Sequence, residues 1–417
     1  MKTVPLRRLC TILNGGTPKA ETSNWGGDVP WATPVDLRKV DGGHISETDR
    51  SLTHTGVQTG STLAPAGSVL LSSRAPIGYT AIADRAMAFN QGCKALVPAG
   101  ATNPRFLQYS LISMARDLKE AGSGSTFMEV SAEAIGATHV STKSPEEQRR
   151  IADFLDDRVS RIDRIIAARR DQLAGLDATS TRQSFDTVIG ASVSGRRRDS
   201  GKPWLGTIPE GWPLQTVGAH FKVELGKMLN ESRQTGDHAI PYLRNANVQW
   251  DRIVTDDVKS MDIAAHELAR YTVQRGDLLI CEGGQPGRAA IWDGRTAPMG
   301  FQKALHRARS RGSASPQWLL ECLRAATALN VFAVENGQTT IGHLTNDQLR
   351  AQRFPFPSRG EQEELLKTLA DRRAEIRETQ AALTRSIELL TEYKQSLITA
   401  AVTGQLDVTT ASTRIPE

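Results

Sequence analysis

Ser144-Pro145-Glu146-Glu147-Gln148 and Ser358-Arg359-Gly360-Glu361-Gln362 are closely similar, and they lie 214 positions apart in a chain of 417 residues. Each opens a long stretch with helical periodicity, and each follows a polar, loop-rich stretch. A duplication at a fixed spacing indicates two similar structural modules. The sequence therefore predicts an internal repeat, in which each of two mixed α/β modules ends in one long helix.

The repeat extends into the modules themselves. Gly67-Ser68-Val69-Leu70-Leu71 matches Gly276-Asp277-Leu278-Leu279-Ile280 at a step of 209, and both predict a buried strand after a turn. Insertions in loops explain why the step drifts from 208 to 214 along the chain. Further matches are Lys94-Ala95-Leu96 with Lys303-Ala304-Leu305, the predicted helix Pro104–Lys119 with Pro316–Ala325, and Gly124-Ser125-Thr126 with Gly337-Gln338-Thr339-Thr340.

Both long helices carry apolar residues at heptad spacing, which predicts a narrow seam against another helix. Arg373, Gln380 and Lys394 interrupt the second seam, as expected if polar positions set the register of two antiparallel helices of one chain. An ordinary helical hairpin is the alternative, but a whole module separates these helices in sequence. The predicted partner-helix seam is Leu155, Ile162, Ile166, Leu173 and Leu176 in the first helix, and Leu369, Ile376, Leu383, Leu390 and Leu397 in the second.

The predicted fold class is α+β: two similar mixed α/β domains, two long antiparallel coiled-coil helices and a pseudo-twofold internal repeat. A linker with the run Arg196-Arg197-Arg198, predicted to be exposed and solvated, joins the two halves. The predicted boundaries are 1–143 for the first domain, 144–190 for the first spacer helix, 191–207 for the linker, 208–357 for the second domain, 358–405 for the second spacer helix and 406–417 for a tail.

Composition restricts the class of protein. The sequence has no run of 18 apolar residues and no signal-peptide core, so we expect neither a membrane span nor secretion. The four cysteines form no CxxC or Cys/His cluster, which predicts a reduced, cytoplasmic chain without a structural metal.

The net charge of +5 is unevenly distributed. Residues 146–188 contain eight arginines against nine acidic residues, and residues 361–400 contain six basic against eight acidic residues. These helices together carry −3, so the rest of the chain carries +8. A polyanion is therefore expected to bind the modules rather than the helices.

The sequence contains no recognisable catalytic motif, and no catalytic or metal-binding residue is predicted. Gly201-Lys202 is followed by Pro203, which excludes a Walker A motif there, and Asn103-Pro104-Arg105-Phe106 lacks the second proline of an adenine-methylating motif. These gaps favour a binding function over an enzymatic one.

In each module, a proline-marked strand end leads into a polar, basic loop, and a second polar loop follows the buried strand. Arginine reads guanine edges, asparagine and glutamine read adenine edges, and lysine mainly neutralises phosphate. A solvated loop residue is the alternative at each position, but similar loops at similar places in both modules favour binding. The candidate DNA-binding residues are Lys19, Arg38, Lys39, Arg74, Arg244, Asn245, Asn247, Gln285 and Arg288.

The chain resembles the specificity subunits of type I restriction–modification enzymes. The resemblance is carried by Gly15-Gly16-Thr17-Pro18, Asn24–Trp31, Pro145–Ala152, Gly206-Thr207-Ile208-Pro209-Glu210-Gly211-Trp212 and Gly360-Glu361-Gln362. It implies two target-recognition domains, each reading half of a bipartite, asymmetric site in double-stranded DNA. It also implies two helical spacers that fix the gap between the half-sites.

The resemblance further implies that the spacers dock two methyltransferase subunits, and that two restriction or motor subunits join some complexes. S-adenosylmethionine, ATP and magnesium would be bound by those partners, and this chain would hold no cofactor. The chain ends in Ile415-Pro416-Glu417, which resembles the entry to the second module and predicts that the termini lie close together. The competing interpretations are a coiled-coil scaffold that binds only proteins, and an enzyme with a cryptic nuclease or methylase centre.

Overall fold

The computed structural model describes residues 3–122, 129–229, 236–334 and 343–409. The chain divides into two compact units: unit 1 is 1–170 with 384–417, and unit 2 is 171–383. The matched loops at 124–126 and 337–340 and the C-terminal tripeptide 415–417 lie outside the described residues.

Unit 1 contains eleven short strands and five short α-helices within its described ranges. The strands are β1 (Thr3–Pro5), β2 (Cys10–Asn14), β3 (Trp25–Ala32), β4 (Gly43–Ile45), β5 (Ser51–Leu52), β6 (Thr62–Ala64), β7 (Val69–Ser72), β8 (Thr80–Ala83), β9 (Met87–Phe89), β10 (Cys93–Pro98) and β11 (His139–Ser141). The helices are α1 (Pro34–Lys39), α2 (His54–Gly60), α3 (Pro104–Ser113), α4 (Ala115–Glu120) and α5 (Ala132–Ala137). The helix predicted over Pro104–Lys119 is thus broken at Met114 into α3 and α4.

Two long helices, α6 (Pro145–Val188) and α12 (Arg359–Thr403), each contribute one part to unit 1 and the other part to unit 2. The strands of unit 2 are β12 (Arg197–Asp199), β13 (Thr207–Pro209), β14 (Leu214–Thr216), β15 (Phe221–Leu225), β16 (Ala239–Leu243), β17 (Val248–Gln249), β18 (Arg252–Ile253), β19 (Lys259–Asp262), β20 (Leu278–Cys281), β21 (Ala289–Ile291), β22 (Gly300–Phe301), β23 (Leu305–Ser310) and β24 (Arg353–Pro355). Its shorter helices are α7 (Val217–His220), α8 (Leu268–Tyr271), α9 (Pro316–Ala328), α10 (Val331–Val334) and α11 (Asn346–Ala351).

The two units repeat one sheet topology, which confirms the predicted internal repeat. Unit 1 has the strand order β2-β10-β7-β8-β4, and unit 2 has β15-β23-β20-β21. The first four strands pair antiparallel in both. A parallel pair also recurs, β3 with β9 and β16 with β22. The apolar strands β7 and β20 are buried along their whole length, which places each at the centre of its core.

Strand pairing corrects one predicted match. Cys93 pairs with Ser72 in unit 1, and Leu305 pairs with Cys281 in unit 2. Lys94 therefore corresponds to His306, and the match of Lys94–Leu96 with Lys303–Leu305 is wrong by three residues. An insertion before β23 accounts for this shift in register.

Each long helix opens with the repeated pattern Ser-x-x-Glu-Gln. The serine and the glutamate form a capping box, and the glutamine joins the long helix to its module. The Ser144 amide donates to Glu147 Oε2 at 2.9 Å, and the Ser358 amide donates to Glu361 Oε2 at 3.0 Å. The adjacent glutamine, Gln148 in one helix and Gln362 in the other, is buried.

Each buried glutamine joins its long helix to the helix of a module. Gln148 Oε1 accepts from the Asn103 amide at 2.9 Å, and Gln362 Oε1 accepts from the Ser315 amide at 2.9 Å. Asn103 and Ser315 are the N-cap residues of α3 and α9. The motif is therefore repeated because each module is attached to its long helix in the same way.

We expect Gln362→Ala to reduce the free energy of unfolding by about 1–3 kcal/mol, because it leaves the buried Ser315 amide without an acceptor. Urea unfolding followed by circular dichroism measures this change. Glu363→Gln, one residue further along the same helix and exposed, is the matched control and should be nearly neutral. Equal stability of Gln362→Ala and the control would contradict a stabilising hydrogen bond between the Ser315 amide and Gln362.

Within each unit, the two long helices run antiparallel, as predicted. In unit 1, Lys394 Nζ donates to Asp163 at 2.7 Å. In unit 2, Gln380 donates to Asp177 at 2.7 Å, and Arg373 donates to Ser184 at 2.6 Å. A step of seven residues towards the N-terminus of α12 thus corresponds to seven residues towards the C-terminus of α6, as in antiparallel helices. The three polar residues that interrupt the second apolar seam therefore form contacts between the helices.

The predicted seam residues are buried to different degrees. Leu155, Ile162 and Ile166 of α6 pack in one cluster with Leu397 of α12 and with Phe106 of α3. Buried seam residues are Leu155, Ile162, Ile166, Leu369, Leu383 and Leu397, and half-buried ones are Leu173, Leu176, Ile376 and Leu390.

The predicted linker is an ordered hairpin. β12 pairs antiparallel with β13, and the Arg197 guanidinium donates to the carbonyls of Ile189 and Gly190, both at 2.9 Å. Arg198 donates to the Trp212 carbonyl at 2.7 Å. Arg196 and Arg197 are exposed as predicted, whereas Arg198 is half-buried. Arg197 and Arg198 are hydrogen-bonded rather than simply solvated, and Arg197 bonds the carbonyls that follow the end of α6.

Both ends of the described chain meet in unit 1. β1 pairs with β11, and Ser141 of β11 donates to the Thr403 carbonyl at 3.4 Å. Thr403 is the last residue of α12. The proximity of the termini themselves stays a prediction.

Candidate nucleic-acid interface

In unit 1, helix α1 carries two of the predicted DNA-binding residues on its exposed side. Thr33 caps this helix and forms a capping box with Asp36. Lys39 is exposed and binds Asp49, with Nζ 2.5 and 2.6 Å from the two carboxylate oxygens. The Arg38 side chain is exposed and has no hydrogen-bond partner within the described ranges. Of the two, Arg38 is therefore the more available to a ligand.

Arg74 follows strand β7 and lies beside α1. A Cβ placed on Gly92 would lie 3.3 Å from Pro34 of α1 and 3.7 Å from the Arg74 Cβ, so α1 and Arg74 both lie next to Gly92. The side chain of Arg74 is 43% exposed, and its Nε donates to Glu129 at 2.8 Å. The structure thus brings the two loops predicted for the first module to one edge of the sheet.

Lys19 is exposed on a segment that two tryptophans hold in place. Trp25 Nε1 donates to the Lys19 carbonyl at 2.9 Å, and Trp31 Nε1 donates to the Gly16 carbonyl at 3.0 Å. Gly16 packs closely against the backbone of Gly60, and only glycine fits there, because a Cβ on Gly16 would lie 2.3 Å from the Gly60 carbonyl oxygen. The glycine motif and the tryptophan motif quoted for the family resemblance therefore pack against each other.

In unit 2, the loop after β16 contains Arg244, Asn245 and Asn247. Arg244 donates to the carbonyl and the carboxylate of Asp257, both at 2.7 Å, and its side chain is 23% exposed. Asn247 is buried, and its amide donates to the carbonyls of Val254 and Asp257. These bonds favour a loop-supporting role for Asn247 rather than the base contact predicted from its residue type.

The two predicted loops of unit 2 also meet. Asn245 Nδ2 donates to the Gly283 carbonyl at 2.8 Å, and Arg288 donates to the Asn245 carbonyl at 3.2 Å. Among the residues that the structure describes, Asn245 Oδ1 and Arg288 Nε are buried and have no hydrogen-bond partner. Gln285 is exposed on the same loop. The arrangement parallels that of Arg74 and α1 in unit 1.

Sequence reasoning missed two sets of residues that support these loops. The Arg50 guanidinium lies 3.7 Å from the Trp25 ring centroid, and it covers the tryptophan pair that holds the Lys19 segment. The buried Lys94 Nζ donates to Glu129 at 3.2 Å, beside Arg74. Both sets join residues distant in sequence, and no local motif marks them.

The described residues offer no group of His, Cys, Asp or Glu side chains arranged to hold a metal ion. The four cysteines are buried and unpaired, and burial raises the pKa of Cys10 to about 12, so its thiol is a poor nucleophile at neutral pH. None of the helices in these ranges combines the length and apolarity that a bilayer crossing requires.

Residues 1–174 match the family described as the type I restriction modification DNA specificity domain. This match over the first 174 residues confirms the resemblance predicted from the sequence. A curated relative is the type I restriction enzyme MjaIX specificity subunit of Methanocaldococcus jannaschii, which is 31% identical over 239 residues. The matched part is 56% of this chain and 54% of that protein, so the chain spans about half the length of this relative.

Two solved structures share the fold. One, from work on the assembly and conformational transition of the type I R-M system, has a TM-score of 0.73 at 16% identity and covers 97% of this chain and 98% of its own. The other, the HsdS subunit from Thermoanaerobacter tengcongensis, has a TM-score of 0.51 at 18% identity and covers 97% of both chains. At these identities, the likeness establishes the α+β architecture with its two long helices.

Proposed function

We propose that this chain is the DNA-sequence-recognition subunit of a type I restriction–modification complex. Each module reads one half of a bipartite, asymmetric site in double-stranded DNA. The long helices set the spacing of the half-sites and dock two methyltransferase subunits. Those partners, and restriction or motor subunits where they join, bind S-adenosylmethionine, ATP and magnesium and carry out the chemistry.

The observation that carries the proposal is the duplicated loop cluster. In each unit, the loop after the parallel strand and the loop after the central buried strand meet at one edge, and each pair presents arginine side chains. Arginine, asparagine and lysine are residue types that commonly contact bases and phosphates in DNA. Two equivalent clusters in one chain suit a target with two separate halves.

The charge distribution supports the same function. The long helices carry −3 and the rest of the chain +8, so a polyanion is attracted to the modules. The acidic helices are left to protein contacts.

The proposal is tested by mapping methylated adenines in the host genome with and without this chain. We expect one bipartite motif to lose its methylation when the chain is deleted and to regain it on complementation. The purified complex should also bind DNA of that motif with an affinity that falls steeply as salt rises. A methylome that does not depend on the chain would reject the proposal and favour a scaffold that binds only proteins.

Arg244→Ala should weaken reading of the second half-site only. The cost is about 1–3 kcal/mol if Arg244 makes a bidentate base contact, because such a pair discriminates by that amount. Methylation rates on duplexes with single-base changes in each half-site measure it. The matched control is Arg295→Ala, which removes an exposed arginine paired with Asp293 in the same unit. Unchanged rates on every duplex would reject the role of Arg244.

A further inference from the structure

Arg74 is held by its backbone on both sides. Its amide donates to the Gly92 carbonyl at 3.3 Å, and the neighbouring Ser73 carbonyl accepts from the Val130 amide at 2.9 Å. A β-bridge joins Arg74 to Glu129. The direction in which the side chain leaves the main chain is therefore fixed before any ligand arrives.

The Arg74 guanidinium is also held, through its Nε alone. Arg74 Nε donates to Glu129 Oε2 at 2.8 Å, while Lys94 Nζ donates to the other carboxylate oxygen at 3.2 Å. The Lys94 side chain is 7% exposed and Glu129 is 31% exposed, so the contact is anchored in the core at one end. Among the residues that the structure describes, neither terminal nitrogen of Arg74 has a hydrogen-bond partner.

Glu129 is ionised at neutral pH. Its partial burial acts to raise the pKa of the carboxyl, but hydrogen bonds from Arg74 and Lys94 outweigh this and hold the pKa below its ordinary value. A carboxylate that binds an arginine through Nε leaves the two terminal N–H groups parallel and directed outward. This is the geometry that binds the O6 and N7 acceptors of guanine.

We infer that Lys94 and Glu129 are positioning residues, which orient Arg74 so that its free edge reads a guanine in the half-site of the first module. The inference rests on the proposed function and assigns one base class to one residue. Preorganisation is the physical gain, because an arginine already fixed by its neighbours loses less conformational entropy on binding.

Unit 2 does not repeat the contact of Arg74, Glu129 and Lys94. By strand register, Gly283 stands at the position of Arg74 and His306 at that of Lys94. Glycine has no side chain to read a base, and the buried His306 bonds the Leu344 carbonyl at 2.7 Å instead. The contact assigned to Arg74 therefore has no counterpart at Gly283, and the half-site read by unit 2 serves as an internal control.

The test uses the full chain in its purified complex with the methyltransferase, after the motif has been mapped. Methylation rates are measured on duplexes that carry each of the four bases at every position of both half-sites. Arg74→Lys, which keeps the charge and the Glu129–Lys94 pair, should reduce the preference for guanine at one position of one half-site by about 5- to 150-fold. Glu129→Gln should reduce the same preference by about 2- to 10-fold.

The matched control is Glu120→Gln, which breaks the exposed Arg116–Glu120 pair in the same unit and should leave every preference intact. Glu129→Asp should restore part of the preference lost in Glu129→Gln. Thermal melting of each complex establishes that the variants are folded, and Arg74→Lys remains decisive should Glu129→Gln not fold.

Unaltered guanine preference in Arg74→Lys overturns the inference. An equal loss of rate on all sequences also overturns it, because a phosphate contact or a folding defect weakens binding without altering base preference. These outcomes differ from failure of the proposed function, in which the wild-type chain directs no motif at all.

Discussion

Arg373→Met should reduce the stability of unit 2 by about 3–5 kcal/mol, the cost of removing one partner from a buried ion pair. Arg373 on α12 donates two parallel hydrogen bonds to Glu321 on α9, at 2.7 and 2.8 Å, and a third to Ser184 on α6. Glu321 is fully buried, and without Arg373 its nearest cation is Arg324, at 3.5 Å. Chemical unfolding of the purified chain, followed by tryptophan fluorescence, measures the loss.

A double substitution distinguishes this ion pair from simple packing. Glu321→Leu together with Arg373→Met removes both charges, so it should recover much of the stability that Arg373→Met loses. The control is Arg385→Met, which breaks the exposed pair with Glu388 on the same helix and should cost less than about 1 kcal/mol. If the double variant were less stable than both single variants, the buried charges would not be the cause.

The long helices were predictable because their signal is local and periodic. Leu369, Ile376 and Leu383 recur at seven residues, and all three are at least half-buried on one face of α12. Even the interruptions were informative, since Arg373 and Gln380 contact α6 where the heptad pattern breaks. A period in the sequence is sufficient to define such a face.

The residues that support the candidate DNA-binding loops were less predictable, because their contacts are long-range. Glu129 contacts Arg74 from 55 residues away, and Lys94, which is 20 residues from Arg74 in sequence, contacts Glu129. Nothing in the local sequence distinguishes these two residues from solvated charges. Asn247 shows the converse problem. Its residue type suits adenine recognition, yet the fold uses its amide to bond two carbonyls of its own loop.

The glutamines at the helix openings fall between these cases. Duplication marked Gln148 and Gln362 as important, but repetition alone does not reveal a function. Only the structure identifies each as the acceptor for the N-cap amide of a module helix. A repeated motif therefore indicates which residues matter to the fold, and the three-dimensional contacts explain why they matter.

Leu383→Pro should abolish assembly of the complex and destabilise the chain by about 3 kcal/mol or more. Proline removes the helical hydrogen bond of residue 383 and clashes with the carbonyl one turn earlier. Leu383 lies well inside α12 and is 8% exposed, so the kink also disturbs a buried contact. Both units draw on α12, and we expect both to lose stability.

The matched control for this variant is Arg359→Pro. Residue 359 is the first residue of α12, and α6 carries a natural proline, Pro145, at its own first position. Proline is tolerated there because the first amide of a helix has no intrahelical acceptor. Co-purification with the methyltransferase subunit and circular dichroism compare the two variants. Arg359→Pro should assemble normally, and normal assembly of Leu383→Pro would refute the view that an unbroken α12 supports the complex.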